Sequence, residues 1–265
     1  MKYSEGYVAF IDILGFSEYV INEDNGEKTK QLFSFIKSIC DKFNKNNKLC
    51  LGLSFFSDSI VLVSEKFWKI AVMISHLEET LKSELGLLFR GGICYGKYYH
   101  DEEMTFGPAV VSAYRLENKA KYARIIIDYN IDIDLNNTVF YPDVDGNVCI
   151  NQYAISAFTL FSEDQSDVKE QPDFQTKNIY DYLEDERDKL LDQIRIHKGK
   201  DVVEKYLWRV KLFNYFCNCI GNLQENKNLL IWGRIIIIDN KIKNEIFNLK
   251  ISEDDILNIY LKNYS

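Results

Sequence analysis

A short turn between two strand-like runs constrains this chain more than any other feature. Residues 49–56 and 60–63 read LCLGLSFF and IVLV, and the tight turn Ser57-Asp58-Ser59 separates them. Two runs of this composition joined by so few residues are typical of an antiparallel β-hairpin. The sequence therefore predicts a hairpin that carries an acidic residue at its tip.

Amphipathic helices are predicted on both sides of the hairpin. Apolar side chains recur every three or four residues over 27–43, and again over 67–84, where the pattern stops before Gly86. Outside these helices lie two more strand-like runs, YVAFIDI at 7–13 and LLFRGGICY at 87–95. The resulting order is strand, helix, hairpin, helix, strand.

This order predicts an α+β fold with a ferredoxin-like β-α-β-β-α-β core. A doubly wound parallel sheet fits less well, because the central strands are joined by a tight turn and not by a helical crossover. A further helix is predicted to open at Gly107-Pro108, since proline suits the first helical turn. The run RIIID at 124–128 predicts one more short strand.

The C-terminal part of the chain has a weaker pattern. Residues 162–175 are polar and predict a loop, 178–220 predict a long helical region, and IWGRIIIID at 231–239 predicts a strand. No linker rich in proline or glycine separates this part from the rest. We therefore expect a core over residues 1–130 and an extension over 131–265 that packs on the core and is not an independent domain.

The net charge of the chain limits the kinds of molecule that it is expected to bind. Lysine and arginine number 32 against 40 aspartates and glutamates, which gives a formal net charge of −8. A nucleic-acid partner is not expected, because neutralising a phosphate backbone requires a basic face. An acidic protein can still bind phosphates where its carboxylates hold divalent cations.

The chain also lacks the signals of export. Its start, MKYSEGYVAF, has no signal-peptide features, and no stretch approaches the roughly 18 apolar residues of a membrane span. We therefore expect a cytoplasmic protein without membrane contact. The six cysteines contain no C-x-x-C pair and are expected to be free thiols.

Two aspartates stand out in the predicted fold. Asp12 closes the apolar run at 7–13, and Asp58 lies at the hairpin turn. Taken alone, Asp58 fits ordinary turn chemistry and Asp12 a strand-end cap. Two carboxylates on adjacent strands repel each other unless a proton or a cation lies between them, and ligation by oxygen alone favours magnesium or manganese. The pair therefore predicts a divalent cation site.

Four motifs in register resemble those of the class III nucleotide cyclases. Residues 10–16, FIDILGF, resemble the first metal motif F-x-D-x-x-G-F of that family, and Ser57-Asp58-Ser59 resembles its second metal turn. Residues 90–96, RGGICYG, are similar to its R-x-G-I-x-x-G strand, and residues 107–116 resemble its helix G-x-x-V-N-x-A-x-R. The order and spacing agree over residues 7–128.

Within that family, the resemblance is closest to the bacterial pyrimidine cyclases of the Pycsar antiphage systems. Those enzymes share the runs F-x-D-x-L-G-F, S-D-S and R-G-G-I, and a helix start G-P-A-x-x-x-A-Y-x-L-E that resembles residues 107–117. The resemblance implies a cyclase homology core and a homodimer with active sites at its interface. It also implies a cyclic nucleotide product that acts on a separate effector protein.

The resemblance assigns roles to particular residues. It implies that Asp12, Asp58 and the backbone carbonyl of Ile13 hold two divalent ions per site, Mn²⁺ or Mg²⁺. The 3′-oxygen of a nucleoside triphosphate then attacks the α-phosphorus, and pyrophosphate leaves. Arg115 matches the arginine that stabilises the charge developing on the α-phosphate, although a merely solvated helix arginine would look the same in the sequence.

The positions that read the base depart from the purine pattern. Ser54 stands where purine-selective relatives carry a lysine, Met104 where they carry an acid, and Val111 where the helix motif has asparagine. Phe10 and Ser54 are the expected substrate contacts. The missing lysine is compatible with a smaller pyrimidine ring.

Three functions are therefore kept open. The first is conversion of UTP to 3′,5′-cyclic UMP and pyrophosphate as a signal in antiphage defence. The second is the same reaction on CTP, giving cyclic CMP. The third, of another class, is a catalytically inactive cyclase-like domain that binds a nucleotide as a sensor.

Overall fold

The computed structural model describes residues 2–21, 26–47, 51–101, 103–162, 172–222, 229–231, 234–236 and 240–261. In chain order, the elements are β1 (Ser4–Leu14), α1 (Phe16–Ile21), α2 (Glu27–Asn47), β2 (Leu51–Phe56), β3 (Ser59–Ser64), α3 (Phe67–Leu85), β4 (Leu88–His100), β5 (Thr105–Phe106), α4 (Pro108–Glu117), β6 (Ile125–Ile127), β7 (Phe140–Pro142), β8 (Val148–Ile150), α5 (Gln152–Ser162), α6 (Pro172–Ile196), α7 (Val203–Gly221), β9 (Leu229–Ile231), β10 (Arg234–Ile236), α8 (Asn240–Asn248) and α9 (Glu253–Leu261).

The chain divides into two compact units. The first comprises Met1–Ile133 and Pro142–Ile150, and the second comprises Asp134–Tyr141 and Asn151–Ser265. The residues with candidate functional roles lie in the first unit.

The first unit has the predicted β-α-β-β-α-β core. Its strands follow the order β2-β3-β1-β4, and every neighbouring pair is antiparallel. This is the ferredoxin-like arrangement, and the prediction of an α+β fold is confirmed. Beyond β4 the sheet continues with β6, which pairs in parallel, and then with β8, which pairs antiparallel to β6.

The hairpin between β2 and β3 is tighter than the sequence pattern indicates. Ser59 already belongs to β3 and lies opposite Phe56, so the turn consists of Ser57 and Asp58. Ser57 has a φ of 56°, in the left-handed region that a two-residue hairpin turn requires. Residues 49 and 50, which the sequence also assigns to this hairpin, lie outside the described residues.

The sheet uses its two faces differently. Side chains alternate along a strand. Tyr7 of β1 contacts the ring of Phe67 in α3. Val8, by contrast, packs in a cluster with Ala109 and Ala113 of α4. The even-numbered side chains of β1 therefore face α4, and Asp12 belongs to that set.

Both predicted helix boundaries near the site are confirmed. Helix α3 ends at Leu85, and the following Gly86 adopts φ 65° and donates its N–H to carbonyls of the last helical turn. Helix α4 begins directly after Gly107, with Pro108 at its first position.

An arginine clamp fixes the outer part of the same sheet. Arg124 is 2% exposed, its Nη1 lies 2.5 Å from Asp143 Oδ2, and its Nη2 lies 2.6 Å from Asp145 Oδ2. Burial alone would lower the pKa of Arg124, but the hydrogen bonds to the two carboxylates raise it. The hydrogen bond from Arg124 lowers the pKa of Asp145 to about 2. Arg124 therefore has a structural role in the sheet.

In the second unit, the observed helices and strands differ from three of the predictions. Residues 172–175 belong to α6 and Ser162 to α5, so the predicted loop at 162–175 is wrong at both ends, while 163–171 lie outside the described residues. The predicted helical region 178–220 is interrupted between α6 and α7, where Gly199 adopts φ 75°. A positive φ of this kind cannot continue a helix.

The predicted strand at 231–239 is also wrong as a single element. Its first part lies in β9 and its later part in β10, which pair antiparallel with Ile231 opposite Arg234, so the apolar run folds back on itself. The run contains Gly233, and a glycine weakens the interior of a strand. Residues 232–233 and 237–239 lie outside the described residues.

Two further features of the described residues concern the state of the cysteine thiols and the apolar character of the helices. Cys94, Cys149, Cys217 and Cys219 are free, and burial raises the pKa of the first three to about 12. Within the described part of the chain, no helix combines the length and the apolar character needed to cross a bilayer.

Candidate active site

The end of β1 and the tip of the hairpin bring two carboxylates together. Asp12 lies opposite Ser59, the residue that follows Asp58. The backbone N–H of Ile13 donates to the carbonyl oxygen of Asp58 at 2.9 Å, which ties the turn to the end of β1. Two of the residues predicted as metal ligands are therefore neighbours, and the third is joined to Asp58 through its backbone.

Burial and neighbouring charges have opposing effects on the pKa of Asp12. Burial raises the pKa of its carboxyl, the guanidinium of Arg90 opposes that rise, and the negative charge of Asp58 adds to it. A carboxylate in such a place gains from a positive charge beside it. Asp58, by contrast, places a second negative charge beside Asp12.

Arg90 of β4 places a positive charge beside Asp12. Its Nε donates a hydrogen bond to Asp12 Oδ2 at 3.2 Å. The same Nε lies 2.8 Å from Glu117 Oε1, an ion-pair contact. One N–H group therefore stands between two carboxylates.

Glu117 is the most buried member of this group. It ends α4 on the face that also carries Ala109 and Ala113, and it is 3% exposed. Among the described residues, its Oε1 has no hydrogen-bond partner. Burial raises the pKa of Glu117, Arg90 counteracts this, and the charges of Asp12 and Asp58 raise it further.

Close approach of α4 to the sheet explains this position. A Cβ at Gly92 would lie 2.6 Å from Leu116 Cβ and 2.9 Å from the backbone nitrogen of Glu117. A glycine is therefore required where α4 crosses β4. This contact sets the end of α4 against Arg90, two residues before Gly92 on the same face of β4.

We call Asp12, Asp58, Arg90 and Glu117 the acid cluster. With all groups ionised, three negative charges face one positive charge, which leaves a formal charge of −2. Within the described residues, no set of three histidine, cysteine or acidic side chains is arranged to hold a metal ion. Asp12 and Asp58 are a pair of oxygen donors whose mutual repulsion a hard divalent cation would relieve, and in this sense the site fits Mg²⁺ or Mn²⁺.

Ser54 lies on β2 within a chain of polar groups. Its Oγ is 2.6 Å from Thr105 Oγ1, which is itself 2.6 Å from Nδ1 of His100. The ring of His100 lies over Gly52, where a Cβ would approach it to 2.3 Å. Burial lowers the pKa of His100. The end of β4 and β5 thus contact β2 through these side chains.

The remaining predicted residues surround α4. Phe10 is half-buried, and its ring meets that of Tyr114 edge to face at 5.2 Å between centroids. Arg115 and Val111 lie on the exposed side of α4, away from the buried face that ends in Glu117. Among the described residues, Arg115 makes no hydrogen bond or ion pair. The fold of one chain does not bring it to the acid cluster.

Sequence reasoning missed the roles of Arg90 and Glu117. Both appear in the motifs, but only as letters of a pattern. One signal was present for Glu117, because it follows Ala109 and Ala113 at intervals of four residues on an apolar helical face. A charged glutamate at such a position needs a neighbouring cation.

Comparisons with known proteins return adenylyl and guanylyl cyclase domains. The adenylyl cyclase CyaB from P. aeruginosa is 19% identical, with a TM-score of 0.38 over 49% of this chain and 80% of that one. The monomeric guanylyl cyclase domain of the RhoGC fusion protein from the aquatic fungus Blastocladiella emersonii is 15% identical, with a TM-score of 0.44 over 57% and 98%. The guanylate cyclase domain of RhGC from Catenaria anguillulae, in complex with GTP, is 16% identical, with a TM-score of 0.42 over 56% and 96%.

None of these TM-scores reaches 0.5, and the similarities therefore say nothing about the substrate or mechanism of this chain. No family model and no curated protein sequence matches it.

Proposed function

We propose that this protein is a pyrimidine nucleotide cyclase that converts UTP to 3′,5′-cyclic UMP and pyrophosphate. The observation that carries the proposal is the pair of neighbouring acids, Asp12 and Asp58, at the end of β1 and the tip of the hairpin. The four motifs that resemble class III nucleotide cyclases support it, and these acids are the ones that the resemblance assigns to metal binding.

In this proposal, two acids and one backbone carbonyl of the chain would bind the metal ions. Asp12, Asp58 and the carbonyl of Ile13 would hold two divalent ions, Mn²⁺ or Mg²⁺. When bound, these ions would lower the pKa of the ribose 3′-hydroxyl and neutralise part of the triphosphate charge. The acids would thereby fix the nucleotide beside the end of β1.

Arg115 would stabilise the charge that develops on the α-phosphate oxygens. Its exposed place on α4 favours a role in the active site of a second copy of the chain. Such an arrangement makes the active form a homodimer with shared sites. The exposed apolar side chains of this helix, Val111 and Tyr114, support a surface that another copy covers.

The base would lie toward Phe10 and Ser54. The hydroxyl of Ser54 is already joined to Thr105 and through it to His100, so the polar groups available there are small. Met104, at the position of the purine-type acid, offers no carboxylate. These features favour a pyrimidine over adenine or guanine, and they separate uracil from cytosine only weakly.

The test is a product assay with each of the four nucleoside triphosphates and Mn²⁺, read by mass spectrometry. We expect cyclic UMP as the main product. A higher kcat/KM for CTP would make cyclic CMP the signal, which is the first alternative. A preference for ATP or GTP would overturn the pyrimidine assignment.

The alternative of another class is a catalytically inactive cyclase-like domain that senses a nucleotide. Retention of both acids argues against it, because binding a nucleotide does not by itself require them. The absence of any cyclic product from all four nucleotides, together with nucleotide binding measured by calorimetry, would favour this alternative.

A biological role follows from the same resemblance. We propose that the cyclic nucleotide is a cytoplasmic second messenger in antiphage defence and acts on a separate effector protein, without nucleic-acid or membrane partners. Expression of the protein with an intact and with an Asp58→Asn site, followed by phage challenge and nucleotide extraction, tests this role.

A further inference from the structure

A single N–H group serves two carboxylates in the acid cluster. Nε of arginine carries one hydrogen, and here it is directed to Asp12 Oδ2. Glu117 Oε1 is closer, at 2.8 Å, yet it has no hydrogen-bond partner among the described residues. One hydrogen cannot serve both acceptors well at the same time. Nε of Arg90 therefore has two competing acceptors.

The two competing acceptors differ in burial. Glu117 is 3% exposed, and its backbone is held by the close contact between α4 and Gly92. The side chain of Asp12 is 21% exposed, beside the hairpin turn. Leaving the buried Oε1 of Glu117 without a hydrogen bond costs free energy, so the cluster gains when Nε–H turns to this oxygen.

This exchange becomes favourable when Asp12 receives another positive charge. A divalent cation between Asp12 and Asp58 would repel the guanidinium, and Glu117 already lies within ion-pair distance of that guanidinium. Without the charge of Glu117, Arg90 would remain paired with Asp12 and would compete with the cation.

We propose that Glu117 is a positioning residue that draws Arg90 away from Asp12 and so keeps that carboxylate available for a divalent cation. The inference rests on the proposed function, since it takes Asp12 as a metal ligand. It assigns Glu117 no contact with the metal or with the nucleotide. Glu117 acts only through Arg90.

The test measures Mn²⁺ binding to the full-length protein without nucleotide, by electron paramagnetic resonance of free Mn²⁺. Four proteins form a cycle: wild type, Glu117→Gln, Arg90→Gln and the double variant. We expect Glu117→Gln to weaken Mn²⁺ binding by about tenfold when Arg90 is present, a coupling within the usual range for residues in contact. In the Arg90→Gln background the same change should alter binding by less than about twofold.

Equal weakening in both backgrounds would overturn the inference, because Glu117 would then act directly or through general charge. No weakening in either background would overturn it as well. Melting curves of all four proteins check folding. If Glu117→Gln does not fold, Glu117→Asp keeps the charge but retracts it from Nε, and the same comparison between backgrounds applies.

Asp12→Asn separates this inference from the proposed function. Loss of Mn²⁺ binding in Asp12→Asn, with no difference between backgrounds for Glu117→Gln, would reject the role of Glu117 alone. Unchanged Mn²⁺ binding in Asp12→Asn would reject the metal site itself.

Discussion

The acid cluster and the arginine clamp place an arginine between two carboxylates in the same unit, yet the two arrangements differ in kind. In the clamp, separate nitrogens of Arg124 contact Asp143 and Asp145, and the guanidinium is 2% exposed. In the acid cluster, a single nitrogen, Nε of Arg90, contacts both Asp12 and Glu117, and the side chain of Arg90 is 30% exposed.

The charges differ as well. The clamp has two acids for one arginine, whereas the acid cluster adds Asp58 as a third. An arginine that uses separate nitrogens for each acid forms a rigid structural contact. An arginine that divides one N–H between acids leaves unsatisfied negative charge, which favours binding of a cation. The surroundings of the two arginines, and not the residue type, make this difference.

The largest expected difference between the two sites is in catalysis. Asp12→Asn removes a metal-binding charge without changing shape, and we expect turnover to fall by about 10³-fold or more, since metal assistance is worth several kcal/mol. Asp145→Asn, the matched change in the clamp, should leave turnover near that of wild type. Steady-state kinetics with UTP and Mn²⁺ measure both. Similar losses in the two variants would contradict the division between a functional and a structural site.

A third arginine, Arg115, sharpens the comparison because it makes no ion pair with any of the described residues. Asp58→Asn and Arg115→Ala should each be inactive. Mixing the two should restore activity to about a quarter of the wild-type level, because half of the dimers formed are heterodimers and each has one intact site. Activity of the mixture is assayed after exchange of subunits. A fully active monomer in gel filtration would contradict the shared site.

Stability should respond in the opposite order to catalysis. Arg124→Met leaves buried Asp143 without its cation, and we expect a loss of about 3–5 kcal/mol in the free energy of unfolding. Arg90→Met should cost less, because Arg90 is partly exposed and Glu117, whose pKa is already raised, can take up a proton. Urea titrations followed by circular dichroism compare the two. A larger loss for Arg90→Met would show that the acid cluster, too, is chiefly structural.

The smallest expected effect is the pH dependence of the clamp. Asp145 has a pKa of about 2 in the folded protein, below the value of about 3.9 for an unfolded chain. Its contribution to stability is therefore complete above about pH 4 and is lost as the pH falls through about 2. The difference in melting temperature between wild type and Asp145→Asn should shrink over this window. A difference that stays constant down to pH 2 would contradict the ion pair with Arg124.

Much of the fold follows from local pattern. The hairpin at Asp58, the helix that stops before Gly86 and the helix that opens at Pro108 are set by turn chemistry and by apolar periodicity within short stretches. Where the pattern is weak, the sequence misleads. The run at 231–239 reads as one strand because its composition cannot reveal that Ile231 and Arg234 pair with each other.

The sequence by itself determined the pair Asp12 and Asp58, because each acid interrupts or ends an apolar strand and the strand order makes them neighbours. Only the tertiary structure decided that Arg90 and Glu117 join them. Glu117 lies 27 residues after Arg90 in the sequence, and their contact depends on how closely α4 crosses β4 at Gly92. That distance is set by packing between elements, which no local pattern encodes.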